Sequence, residues 1–547
     1  MSWIDYTIIA SYLGLLLAMS WYFKAHATGK DFFLGGRQLP WQALSLSVMA
    51  TQLSAVSFIS APAFVGIREG GGLIWLSYEL ALPMAIVLLL WRLLPTLHRS
   101  GVVSIYDFLE QRFDTSTRVV ISLVFQISRS FATAIMIYAM SLILQATMGI
   151  EAWISIVIIG VTTLFYSAIG GMKAVVFGDA AQMVLIVVGA AICMFFAVSA
   201  LGGFQAAINA VDPERFNAIN VTGVGASSND FGLLPMIFGG LILYASYYGC
   251  DQSEAQRSLS SKSITDLKKV LLSVAFMRFP ITILYCFAGL FIGALVMQTP
   301  SLQAQIPSES PDWMMPVFML NYLPSGILGI LVVAIMAAAM SSLSSAINSL
   351  SAVSLEDIYR FKNEKPEPKK YIAQARITGV FWGLVTLLLS LFAGDIAPTV
   401  IEAINKIGSV FYGPILAVFL LAMHARSANA IIVNIALILG VGTNVFLWLS
   451  HSPIFWFWWN LIGFSITVVS ALLLGMTSLG MTNLGMTSLR QENASQEKNG
   501  RTTKQSKPIL ELVSGLSARS AALLIGYSVA LVFICLYMAT FLTAMQG

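Results

Sequence analysis

LSLSVMATQLSAVSFISAPAFVG, Leu44 to Gly66, is a membrane-length apolar run that carries Thr51, Gln52, Ser54, Ser57 and Ser60 through its middle and Pro62 near its end. A helix of about 20 apolar residues crosses the roughly 30 Å hydrocarbon core of a bilayer. Polar groups at mid-depth followed by proline predict a helix broken there, because an unwound stretch frees backbone carbonyls that a ligand or a neighbouring group must satisfy. A second interruption is expected in the span 231–249, where Pro235, Gly239 and Gly240 precede the aromatic string Tyr244 to Gly249. Each interrupted span opens a block of five, and this pairing predicts an inverted-repeat transporter.

The composition supports a polytopic membrane protein. Of 547 residues, 57% are hydrophobic and only 10% charged, far outside the soluble range. The formal net charge of +4 is small and dispersed, which argues against nucleic acid as a partner and leaves the lipid bilayer. Cys193, Cys250, Cys286 and Cys535 lie in or beside apolar spans without paired spacing, so neither a disulfide framework nor a zinc site is indicated. The first apolar run has no Lys or Arg ahead of it and contains Asp5, unlike a cleavable signal.

Apolar runs place about fourteen transmembrane helices in an all-α chain. Residues 1–41 form a first flanking helix and a cytoplasmic loop, 42–201 the first five-helix repeat and 231–423 the second. Two flanking helices fill 428–474, a polar tract over 475–518 reads as a disordered cytoplasmic linker, and 519–547 holds the last helix. Within the first repeat, 151–169 and 174–201 read as separate spans. The segment 104–113, SIYDFLEQRF, has the spacing of a helix lying along the interface. Lys and Arg test the division, since they collect on the cytoplasmic side. With both termini outward, inside loops take all of them except Arg68 and Arg215, in outside loops, and Arg129, Arg278 and Lys406, in spans. A multi-pass protein of the plasma membrane, or of the inner membrane in a bacterium, is expected.

Ionisable groups in apolar spans need a partner, a cavity or a snorkelling route. Glu79, Arg129, Asp179, Arg278, Glu402 and Lys406 are the candidates. Arg278 is expected to snorkel from near the cytoplasmic end of its span. Asp179 lies deeper and suits either a cation or proton site or a partner for a nearby base. IMAAAMSSLSSAIN, Ile335 to Asn348, adds a row of hydroxyls. Successive helical residues turn by about 100°, so Ser341, Ser344, Ser345 and Asn348 share a face with Ala338 and Ser342 beside it. Such oxygens are hard ligands for alkali cations. The alternative is that small residues simply let two helices approach closely.

Together these stretches resemble the sodium:solute symporter family, which includes sodium/sugar, sodium/proline, sodium/pantothenate and sodium/sialic acid symporters. The resemblance runs from DFFLGGRQLPW, Asp31 to Trp41, through YSAIGGMKAVVFGD, Tyr166 to Asp179, and QRSLSSKS, Gln256 to Ser263. It continues through the serine stretch and SLEDIYR, Ser354 to Arg360, to YGPILAVFLLA, Tyr412 to Ala422. Tyr166 to Ala174 carries the family's own signature. Two places depart from the pattern: Phe177-Gly178-Asp179 stands for Trp-Thr-Asp, and Ala428-Asn429-Ala430 for Lys-Gly-Ala.

The resemblance implies a five-plus-five inverted repeat of the leucine-transporter type with flanking helices, alternating access, and sodium as the coupling ion. It implies a first sodium held by carbonyls of Ala50, Leu53 and Ala338 and hydroxyls of Ser341 and Ser342. A second, described for some members, has its matching positions at Asp179, Ser341, Ser344 and Ser345, so the expectation is one or two sodium ions. For the solute, Arg129, Ser54 and Ser57 match carboxylate and hydroxyl contacts of sialic acid symporters. Glu79, Tyr247 and Asn405 match a sugar contact, an inner gate and an amide contact of a galactose symporter, in which an asparagine and a lysine stand at Tyr244 and Arg278. A Glu79–Arg129 pair would leave a net-neutral pocket. The function expected is uptake of a small carboxylate-bearing or sugar-like solute driven by sodium. The alternatives are a proton-coupled symporter of a neutral sugar or polyol and, from a different class, a channel. No cluster of catalytic His, Cys or paired carboxylates suggests an enzyme.

Overall fold

Trp41–Gln52 and Ala55–Gly66 form the broken span that Leu44–Gly66 predicts. In the computed structural model, which describes residues 1–23, 37–227, 229–359, 368–425, 428–476 and 514–546, the two pieces meet at a bend of 52°. Leu53 leaves the helix with φ −82° and ψ 69°, and extended Ser54 caps the second piece by accepting the Val56 N–H. The break therefore falls at Leu53–Ser54. Pro62 lies inside the second piece and does not cause it.

In chain order the main elements are α1 (Trp3–Phe23), α2 (Trp41–Gln52), α3 (Ala55–Gly66), α4 (Leu73–Ser100), α5 (Asp107–Arg112), α6 (Thr115–Met148) and α7 (Ala152–Ala200). They continue as α8 (Leu233–Cys250), α9 (Gln252–Leu259), α10 (Ile264–Gln298), α11 (Ile327–Val353), α12 (Pro368–Ser390), α13 (Val400–His424), α14 (Ala430–Leu449), α15 (Trp456–Gly475) and α16 (Ala518–Ala544). Among the described residues, 11 helices are long and apolar enough to cross a membrane, or 12 with the bent pair counted as one span. The two further expected spans fall on α1 and on the short apolar stretch Ala152–Leu164.

Local signals set many of the ends. Side chains of Asp114, Ser263, Thr399, Asn429 and Ser517 accept backbone N–H groups at the starts of α6, α10, α13, α14 and α16, satisfying donors that a helix leaves orphaned. Gly149, at φ 67°, ends α6 in the left-handed conformation that glycine adopts without strain.

Three expectations change. Residues 151–169 and 174–201 read as two spans, yet both run within the single helix α7. The glycine pair between them weakens a helix but, unlike proline, keeps its N–H donors. The second interruption does not fall among Pro235, Gly239 and Gly240. Pro235 sits in the first turn of α8, where its missing N–H costs nothing, and the two glycines let Phe457 and Tyr78 approach closely. The chain breaks instead at Asp251, extended at φ −87° and ψ 121°, whose carboxylate caps α9. Segment 104–113 does hold the short helix α5, but Phe108 and Leu109 are buried beneath it and Arg118 of α6 clamps Asp107, Glu110 and Asp357 at 2.8, 2.5 and 2.6 Å. The proposed linker lies mainly outside the described residues, as do Asp31–Gly36 and Arg360.

The core is continuous across α2–α4, α6–α11 and α13. One close backbone contact joins α3 to α10. A Cβ on Gly66 would meet the Gly289 carbonyl at 2.5 Å, and one on Gly289 or Gly293 would meet the Pro62 or Gly66 backbone at 2.5–2.6 Å. Gly289 and Gly293 are one turn apart, a small-xxx-small face that lets two membrane helices touch through their backbones. Gly289→Ala is expected to cost about 1–3 kcal/mol through forced separation, read as a lower melting temperature of detergent-purified protein. An unchanged melting temperature would show that the two helices move apart freely.

Candidate functional site

α11 packs beside α2 and α3 at their break and beside α7. Its serine row therefore faces the carbonyl-rich end of α2, where the last C=O groups of a helix lack intrahelical partners. Ala50, Leu53 and Ala338 are buried there. The Ser342 hydroxyl is buried with no hydrogen-bond partner among the protein groups, while the side chain of Ser341 lies outside what the structure describes. An orphaned hydroxyl in a dry site is costly and suits a ligand that accepts its lone pairs.

Beside this break lies a cavity of about 60 Å³ lined by Ser54, Ser57, Arg129, Tyr247 and Asn405, together with Gln52, Trp75, Tyr78, Arg278 and Tyr412. Five of the six expected solute residues thus come together. Glu79 stands behind the wall. It does not pair with Arg129 as the sequence suggests, but accepts from Arg278 Nε at 3.1 Å and Nη2 at 3.0 Å and from the Tyr244 hydroxyl at 2.9 Å. Arg278 accordingly does not snorkel; it is buried, because the crossing of α10 over α4 brings a carboxylate to it. Tyr244 stacks on Tyr78 with centroids 4.3 Å apart, which fixes the ring carrying the hydroxyl. Arg129 is held by Asp251 at 3.5 Å through Nη1 alone. Its Nε and Nη2, and Nη1 of Arg278, are buried with no protein partner. The Tyr247 hydroxyl donates to the Thr51 carbonyl at 3.4 Å and its ring meets Tyr412 edge-on at 5.9 Å, closing the cavity floor between α8, α2 and α13.

Arg68, at the end of α3, pairs with Glu402 on the first turn of α13 at 2.8 Å. Thr399 donates to the same carboxylate at 2.6 Å. Lys406, one turn on, lies over the Trp448 ring at 5.2 Å.

Asp179 finds its base on α9. Arg257 of the QRSLSSKS stretch, which the sequence assigns to a cytoplasmic loop, is 1% exposed. Its Nη2 and Nε reach Asp179 Oδ2 at 3.1 and 3.3 Å, and Ser47 donates to the same oxygen at 2.6 Å. Ser345 also accepts from Arg257 Nη2.

The sequence profile of the sodium:solute symporter family matches residues 32–440. The chain belongs to that family. This symporter is 28% identical to the sodium/sialic acid symporter SiaT of Proteus mirabilis over 78% of its own length and 86% of that protein's. It is 29% identical to human sodium-coupled monocarboxylate transporter 1, with 81% and 72% covered. To the human sodium/iodide cotransporter it is 27% identical over 77% of the symporter, a match that spans 65% of the cotransporter's length. Among solved structures it is similar to a substrate-bound, outward-open Na⁺-coupled sialic acid symporter at a TM-score of 0.78 and 26% identity, covering 87% of this chain and 98% of that one. The symporter thus has the leucine-transporter-type fold and couples sodium to a solute.

Sequence reasoning missed Arg278, Gln52, Trp75, Tyr78 and Tyr412 as lining residues of the symporter's cavity, and Asp251 and Arg257 as ion-pair partners. One signal was present: Asp251 is a charged residue directly following an apolar span that ends in aromatics, with Arg257 on the short helix after it. Polar residues at a span end ordinarily read as solvated loop, which hid them.

Proposed function

We propose that the symporter takes up a small carboxylate-bearing solute, of the sialic acid or monocarboxylate type, from outside the plasma membrane, with both its termini outward. The observation that carries this reading is the pair of arginines at the cavity, which leave Nε and Nη2 of Arg129 and Nη1 of Arg278 buried with no protein acceptor. A carboxylate offers about four lone-pair sites and matches the guanidinium fork. Ser54, Ser57 and Asn405 then supply hydroxyl and amide contacts, and Tyr247 the inner gate. The sialic acid and monocarboxylate relatives support the same solute class. Glu79 and Asp251 offset the two positive charges, which favours a sugar or polyol as the second reading. A thermal-shift screen of purified protein in sodium separates them: stabilisation by N-acetylneuraminate, pyruvate or lactate is expected, and stabilisation by neutral sugars alone would reverse the choice.

The first sodium is assigned to carbonyls of Ala50, Leu53 and Ala338 with hydroxyls of Ser341 and Ser342, bridging the break of the first repeat (42–201) to α11 of the second (231–423). A cation bound across two moving elements favours the state in which both converge and so preforms the solute pocket. Ser342→Ala removes one of five oxygens. At about 1.5–3 kcal/mol for a lost charge-assisted contact, the half-saturating sodium concentration for uptake should rise roughly tenfold or more, with the fold intact. An unchanged sodium dependence would take Ser342 out of the site.

A further inference from the structure

We propose that Glu254 is a proton-carrying site, so that this symporter moves a proton inward together with sodium and its solute. The inference goes beyond sodium coupling, and its transport assay rests on the carboxylate reading of the solute.

Glu254 lies on the first turn of α9, just past the break at Asp251 and beyond the span that ends at Cys250. It is fully buried, and neither carboxylate oxygen has a hydrogen-bond partner among the described residues. The spacing Asp251-x-x-Glu254 is that of a capping box, in which the glutamate would accept the Asp251 N–H. That N–H goes to the Ser246 carbonyl at 3.1 Å instead. The Tyr247 hydroxyl beside it turns to the Thr51 carbonyl. The side chain is thus left without a structural role at the helix end.

The charges around it are already matched. Arg257 commits its guanidinium to Asp179, Ser47, Ser345 and the Ser253 carbonyl, and Arg129 holds Asp251 through Nη1. An ionised Glu254 would add a negative charge with no donor to either oxygen, which a protein interior avoids by taking up a proton. Burial outweighs the attraction of Arg257 and Arg129, Asp251 adds repulsion, and the carboxyl pKa is lifted to about 8. Tyr247 and Tyr248 of α8 and Tyr412 of α13 are further titratable groups that face it. Of the other helices packed on α9, α2 and α11 carry no titratable side chain. His98 near the end of α4 is engaged by the Ser261 carbonyl at 2.9 Å, and on α10 Asp266 pairs with Lys269.

Position makes this a coupled proton. Glu254 does not line the cavity, but its neighbour Tyr247, the inner gate, does. With the gate shut the site is dry and the carboxyl neutral. Movement of Tyr247 on inward opening brings water to Glu254; the carboxyl O–H bond then breaks, its electron pair stays on the carboxylate and the proton passes to water. Such a difference in proton affinity between the two states couples the proton to the cycle. Each proton adds one positive charge to the inward movement, so the membrane potential and a pH gradient both drive uptake.

Infrared difference spectra of the purified full chain, wild type minus Glu254→Gln, read the proton without any solute. The carbonyl stretch of a neutral carboxyl is expected at neutral pH and should be lost as pH rises through about 8; its absence at neutral pH would overturn the proposal. In proteoliposomes with equal pH on both sides, sodium-driven uptake of radiolabelled N-acetylneuraminate should acidify a trapped pH dye by one proton per solute. N-acetylneuraminate is fully ionised at that pH and brings no proton of its own. Glu254→Gln, whose neutral amide mimics the protonated form, should abolish the acidification. Uptake by the wild type without acidification, or acidification that survives in Glu254→Gln, would overturn the proposal. Absence of uptake of both labelled N-acetylneuraminate and labelled pyruvate would instead end the carboxylate reading, and the infrared band then decides the proton site by itself.

Discussion

Arg129→Ala is expected to raise the half-saturating concentration of a carboxylate solute by on the order of a hundredfold or more. Two charge-assisted hydrogen bonds at about 1.5–3 kcal/mol each are at stake, since Nε and Nη2 of Arg129 face the cavity without a protein acceptor. The substitution also strips Asp251 of its ion-pair partner, which would weaken the fold for a reason unrelated to the solute. Arg129→Ala/Asp251→Asn reduces that confusion, because it leaves no uncompensated charge at Asp251. Uptake of radiolabelled N-acetylneuraminate or pyruvate into proteoliposomes is the measurement. Full uptake by the double variant would end the carboxylate assignment, and retention of neutral-sugar uptake alone would favour the polyol reading.

The second large effect concerns stability. Glu79→Ala should destabilise the protein by about 3–5 kcal/mol, because it leaves the Arg278 guanidinium charged, buried and without its carboxylate. The Tyr244 hydroxyl loses its acceptor at the same stroke. Glu79→Gln/Arg278→Met, which removes both charges at similar volume, should recover most of the loss, as replacement of a buried pair by uncharged groups commonly does. Melting temperatures of the wild type, Glu79→Gln, Arg278→Met and the double variant give the coupling directly. Additive losses would mean that the pair does not act as a unit.

These two pairs belong to a larger pattern. The buried ion pairs Arg68–Glu402, Glu79–Arg278, Arg118–Asp357, Arg129–Asp251 and Asp179–Arg257 each join a residue within 42–201 to one within 231–423. Removing charge from water is expensive, and such pairs are poor sources of net stability. Placed across the seam of the two halves, they instead define which surfaces meet. Arg68–Glu402 joins the end of α3 to the start of α13, while Asp179–Arg257 and Arg129–Asp251 lie near the breaks at Leu53–Ser54 and at Asp251. Alternating access requires contacts between the two halves to exchange, and pairs placed both at the breaks and away from them fit that requirement.

The sequence by itself determined the solvent, most of the helices and the presence of a break in the polar middle of Leu44–Gly66, because all three are local. An apolar run of membrane length must satisfy its own backbone as a helix, and polar residues at mid-depth mark where it does not. It also marked the serine row of α11 and the depth of Asp179, through helical periodicity. What only the tertiary structure decided was which charge meets which. Glu79 lies 199 residues from Arg278 in sequence, Asp179 78 from Arg257 and Arg129 122 from Asp251. Hydropathy carries no record of how helices cross, so nothing in the pattern could choose Arg278 over Arg129 as the partner of Glu79, or lift Arg257 out of a loop and set it against Asp179. The crossing of α9 and α10 over the first half makes that choice, since a charge within an apolar span is tolerated only where packing delivers its counter-ion.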